Sequence, residues 1–136
     1  MPTDFLDTNV LVYLAVEDSF KADRSEALVA AGATISVQVL NEIANVARKK
    51  RARSWQEVQD FLARIRSLLA VEPLTLETHQ TGLLVAERYK LAIYDSMIVA
   101  SALGAGCDTL WSEDMQDGLV IEGALTIRNP FGSPSA

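Results

Sequence analysis

Apolar positions along this chain fall into short runs that alternate with longer stretches of helical spacing. Asp4-Phe5-Leu6 is a short strand ending at Asp7, and Asn9–Ala15 reads as a buried helix. Lys21–Ala31 is a more polar helix stopped by Gly32. Ala33–Ser36 forms a second strand, and Ser36 can cap a helix from Val37 to about Lys50 whose apolar side includes Val39, Leu40, Ile43, Ala44 and Ala47. Ser54-Trp55-Gln56-Glu57 has the form of a capping box, and Val58, Phe61, Leu62, Ile65, Leu68 and Leu69 follow at helical spacing. Val71–Leu74 is a third strand with Pro73 near its end. Thr78–Lys90 is a helix, and Asp95–Ala105 is a nearly all-apolar one ended by Gly106. Cys107–Trp111 and Leu125–Ile127 complete the strands.

Strands separated by helices predict an α/β fold: a mostly parallel central sheet of about four to five short strands with helices on both faces. Ligands of such sheets bind beyond the carboxyl ends of the strands. The 136 residues suit one domain over 1–130, with 131–136, rich in Pro, Gly and Ser, as a frayed tail. With 49% apolar and 22% charged residues, the chain can bury a core. No apolar run approaches the ~20 residues of a membrane span, and the acidic N-terminus lacks the bases of a secretory signal, so the expected location is cytoplasmic. One Cys and one His exclude an intramolecular disulfide and a cysteine–histidine zinc cage.

Polar residues just after the strands are therefore the candidates for chemistry. Asp7 follows the first strand and could simply cap the next helix. Glu42 lies at the edge of the apolar stripe of its helix, beside the uncharged amides Gln38 and Asn45, which can orient a carboxylate without neutralising it. Asp95 opens the most apolar helix, where an anion is poorly solvated. Asp114 follows the Cys107–Trp111 strand in a polar turn, and Asp117 lies three residues further on. Glu17, Asp18, Asp23 and Glu26 read as ordinary solvated acids. Each of the strand-end acids has a bland explanation, but together they gather like charge at one end of one sheet, with no Lys or Arg beside them in sequence. A divalent cation resolves that repulsion, and carboxylates without His or Cys select Mg²⁺ or Mn²⁺.

Phe5-Leu6-Asp7-Thr8-Asn9, Asn41-Glu42-Ile43, Asp95-Ser96-Met97-Ile98 and Trp111-Ser112-Glu113-Asp114 together resemble the PIN-domain nucleases, and within them the VapC-type toxins of toxin–antitoxin pairs. The resemblance covers about Asp4 to Pro130. It implies a PIN-like three-layer fold and a metal-dependent endoribonuclease, commonly a homodimer and silenced by an antitoxin. It also implies that Asp7, Glu42, Asp95 and Asp114 are the catalytic acids around Mg²⁺ or Mn²⁺. Asn9 matches the polar residue after the first Asp, Ser112 stands where the family often has Thr, and Asp117 matches a less regular acid.

The formal net charge of −6 hides an asymmetry. Arg48–Arg66 holds seven bases and two acids, a net +5, and the remainder five bases and sixteen acids, a net −11. Part of the Arg48–Arg53 cluster complements a helix C-terminus. Five bases in six residues exceed that need, so Arg48, Lys49, Lys50, Arg51 and Arg53 are candidates to bind RNA phosphates, with Arg64 and Arg66 behind them. Trp55 reads first as a helix-packing residue and second as a surface for a base. His79 reads as exposed. The competing interpretation is a non-catalytic α/β interaction module that binds a charged partner, with the acids as caps and turns.

Overall fold

A computed structural model describes residues 3–15 and 19–132. Six strands form one sheet in the order β3-β2-β1-β4-β6-β5. They are β1 (Asp4–Leu6), β2 (Thr34–Ser36), β3 (Ala70–Glu72), β4 (Thr109–Trp111), β5 (Val120–Ile121) and β6 (Leu125–Arg128). The pairs from β3 through β6 are parallel, and only β5 runs antiparallel, against β6. The helices are α1 (Thr8–Val12), which continues into a 3₁₀ turn over Tyr13–Ala15, α2 (Phe20–Ala31), α3 (Val37–Lys49), α4 (Trp55–Leu68), α5 (Leu76–Tyr89) and α6 (Ile93–Gly104). Among the described residues no helix is long and apolar enough to cross a membrane.

The core is the sheet's apolar side chains, Phe5, Ile35, Leu110 and Ile127, packed against Val39, Ile43 and Ile98 of the helices, all at most 1% exposed. α5 approaches α6 closely at Gly82, where an added Cβ would lie 2.6 Å from Met97 Cε. The chain runs β1-β2-β3 outward to one side of β1, then crosses to place β4 on the other side. That reversal opens a crevice beyond the carboxyl ends of β1 and β4, where Leu6 pairs with Trp111 and the Asp7 amide donates to the Trp111 carbonyl at 3.0 Å.

Several boundaries differ from the sequence reading. β3 is Ala70–Glu72, not Val71–Leu74, because Pro73 has no N–H to pair. α5 starts at Leu76, not Thr78: Thr75 and Thr78 form a reciprocal cap with Thr where Glu is usual. α6 starts at Ile93, so Asp95 sits inside its first turn and is not its cap. The sheet has six strands because β5 is only two residues long and turns through Glu122 and Gly123, both left-handed (φ 53° and 65°). Of the tail expected to fray, 131–132 are described. The Phe131 ring meets Tyr13 edge to face at 5.1 Å, and the cation of Lys21 lies over both rings. Residues 133–136 of that tail, and Glu17 and Asp18, lie outside the described residues, whereas Asp23 and Glu26 are exposed.

Candidate functional site

A groove of about 570 Å³ occupies the crevice, and Asp7, Glu42, Asp95 and Asp114 all line it. They come from four separate stretches of chain: the end of β1, the middle of α3, the first turn of α6 and the loop after β4. Asp7 is 3% exposed and does cap α1, accepting the Thr8 amide at 2.7 Å on Oδ1. Its Oδ2 accepts Ser112 Oγ at 2.7 Å and Asn9 Nδ2 at 3.1 Å. A carboxylate has about four lone-pair positions, so these three donors do not use them all. Desolvation is the main force on this group and, with Asp95 and Glu42 adding repulsion, lifts its pKa from 3.8 to about 7 despite the stabilising bonds from Ser112 and Thr8.

Glu42 is held at both oxygens, by Thr8 Oγ1 at 2.8 Å and by Gln38 Nε2 at 2.9 Å. Gln38 thus orients the carboxylate as its neutrality suggested, whereas Asn45 lines the groove. Asp95 is half-buried and its pKa is raised, first by desolvation and then by Glu42 and Asp114. Asp114 is exposed at the rim. Lys50 is the single cation among the lining residues, and it does not offset the burial of Asp7 or Asp95.

Asn9 and Ser112 serve Asp7. The Asn9 Oδ1 accepts the Glu113 amide at 3.0 Å, and Ser112 Oγ accepts the Met115 amide at 3.2 Å, so the loop after β4 is tied to the carboxylate that follows β1. Asp117 is elsewhere: its Oδ1 accepts the Asn129 amide at 2.9 Å at the end of β6, and it does not line the groove. The basic cluster fans out. Lys50 faces the acids, Arg48 and Lys49 flank Trp55, and Arg51 and Arg53 line an apolar groove between α3 and α4. Trp55 is 61% exposed, so it is not a packing residue. Three contributors were not read from sequence: Thr8, which bridges to Glu42, Tyr94, which lines the groove, and the Lys21–Tyr13–Glu113 cluster beside it. Thr8 stood between two residues already singled out, and nothing short of the fold announces the others.

Among the described residues no group of three or more His, Cys, Asp or Glu side chains is placed to hold a metal ion as they stand. The donor set still suits a hard divalent cation: all its donors are carboxylate oxygens, two of the carboxylates are oriented by hydrogen bonds, and two carry charge disfavoured by their surroundings.

The PIN-domain family model matches residues 5–116. Solved structures of the same fold include a toxin–antitoxin complex from Klebsiella pneumoniae, at 19% identity and TM-score 0.72 over 94% of this chain and 98% of that one. VapC20 of Mycobacterium tuberculosis, described as a sarcin–ricin loop cleaving toxin, aligns at 18% identity and TM-score 0.66 over 82% and 89%. DNA-bound VapBC from Salmonella typhimurium aligns at 18% identity and TM-score 0.70 over 96% and 99%. At these identities the likeness is one of fold, and no curated protein sequence matches significantly. On its own sequence, matched across most of its length, the chain belongs to the PIN-domain family.

Proposed function

We propose that this protein is a Mg²⁺- or Mn²⁺-dependent endoribonuclease, the toxin of a toxin–antitoxin pair, acting in the cytoplasm. The observation that carries it is the convergence of Asp7, Glu42, Asp95 and Asp114 on one groove with little counter-charge. In this reading Ser112, Asn9 and the Thr8 amide hold Asp7 in place on the groove wall, and Thr8 with Gln38 holds Glu42. Asp95 and Asp114, the freer pair on the groove wall, would hold the cation together with them. When bound, the metal lowers the pKa of water and neutralises charge on the phosphodiester. Lys50, on the groove wall, meets the phosphate that arrives.

The solved structures that share this fold include toxin–antitoxin complexes, which supports an antitoxin as partner. Exposed Leu76, Leu83 and Leu84 fall on one side of α5 and offer a face for a second copy in a homodimer. The test is cleavage of end-labelled RNA with Mn²⁺, beside a chelator lane and an Asp95→Asn lane. Discrete products that vanish in both controls are expected. Intact RNA under every metal would leave the non-catalytic interaction module as the better account.

A further inference from the structure

The segment after α3 holds an indole out in water. Trp55 opens α4, yet 61% of it is exposed, although a tryptophan ordinarily contributes most when buried. Arg48 lays its guanidinium over the ring, 4.2 Å from the centroid, and its Nη1 donates to the Arg53 carbonyl at 2.8 Å. The turn between them is closely folded. Ala52 takes a left-handed φ of 51°, which a residue with a Cβ adopts rarely, and the Arg53 amide donates back to the Ala47 carbonyl at 3.0 Å. Ser54 then fixes the start of α4 through its capping box with Glu57.

This platform is continuous with the acidic groove. Asn41 and Asn45 line both that groove and the shallow cavity of about 490 Å³ bordered by Arg48, Lys49 and Trp55. Along α3, Glu42 and Lys49 are separated by about 10 Å, the length of roughly three stacked nucleotides at 3.4 Å each. Lys49 borders the platform's cavity, and Lys50 lines the acidic groove.

Resting on the nuclease reading, we propose that Arg48 and Trp55 form a stacking platform for one unpaired RNA base, a few nucleotides from the phosphate that is cut. Lys49 at the platform and Lys50 at the groove contact phosphates of the same strand. A base inside a duplex has both faces covered, so the platform selects unpaired RNA, and because every base has a π-face it does so with little regard to sequence. An acidic peptide would engage the cations but has no use for the exposed indole.

Trp111→Phe leaves Trp55 as the only indole of the chain. In that background and in EDTA, an unpaired octaribonucleotide should quench the emission saturably, while a duplex of the same sequence should not. With Mn²⁺, Trp55→Ala should raise KM for a loop RNA by about 5- to 100-fold with kcat nearly unchanged, and Trp55→Phe should restore most of the loss. Equal quenching by duplex, quenching by polyglutamate in place of RNA, or an unchanged KM in Trp55→Ala would overturn the platform. The quenching titration needs no metal and no turnover, so it decides the platform even where the cleavage assay refutes the nuclease.

Discussion

Two sets of acids stand side by side at the same end of the sheet, and the protein treats them in opposite ways. Glu113 has a cation and a donor: Lys21 pairs with it, and Tyr13 Oη donates to it at 2.7 Å. Despite some desolvation, those partners hold its pKa below the ordinary 4.5. One residue away begins the groove of Asp114, Asp7, Asp95 and Glu42, where burial and mutual repulsion push Asp7 up to about 7 and raise Asp95. A chain able to neutralise Glu113 with Lys21 has left its most buried carboxylate without an equivalent. The difference supports the proposal that the groove takes a charge from outside the chain.

The contrast can be sharpened first by pH. In the metal-free protein the folded state binds more protons than the unfolded state between the ordinary value of 3.8 and about 7 at Asp7, so stability should fall as pH rises across that window. The full effect is on the order of 4 kcal/mol, because each tenfold change in proton affinity is worth about 1.4 kcal/mol. Thermal melts in chelator from pH 4 to 8 should show the fall, and Asp7→Asn should flatten it. Glu113 acts in the opposite sense: its depressed pKa adds stability above the ordinary 4.5 that is lost as pH drops through the folded value.

Removing the donor that orients Asp7 comes next. Ser112→Ala should reduce cleavage by roughly 10- to 100-fold, the range for groups that position a metal ligand. A rate within twofold of wild type would mean that Asp7 is held well enough by Thr8 and Asn9. Relieving repulsion is smaller: Asp95→Asn in chelator at neutral pH should melt above wild type, since desolvation and two neighbouring acids disfavour its charge. The smallest effect belongs to the paired acid. Glu113→Gln should lower the melting temperature slightly and leave metal binding intact, because Lys21 and Glu113 are partly exposed to solvent.

Much of this was legible in the sequence, for identifiable reasons. Asp7 and Asp114 could be gathered because a parallel sheet brings its strand ends together, whereas Glu42 in mid-α3 and Asp95 in the first turn of α6 joined them through the family resemblance; all four line one groove. Asp117 had the same chemistry but is spent on the Asn129 amide, a contact 12 residues away that spacing does not reveal. β5 escaped because its turn begins with a left-handed Glu122 in place of Asn or Asp. The Lys21–Glu113 pair joins residues 92 apart, and Trp55 carried the periodicity of a helix start without showing which side faces water. What long-range packing decides, local pattern does not display.

The most direct test is the binding of Mn²⁺ at pH 7.5, read by calorimetry and by thermal shift on wild type, Asp95→Asn and Glu113→Gln. Wild type should bind the ion and, at 100 times its Kd, gain about 2.7 kcal/mol of stability. Glu113→Gln should match it, and Asp95→Asn should lose most of the gain. Equal behaviour of all three, or no binding by wild type, would contradict the claim that this groove is built around a cation.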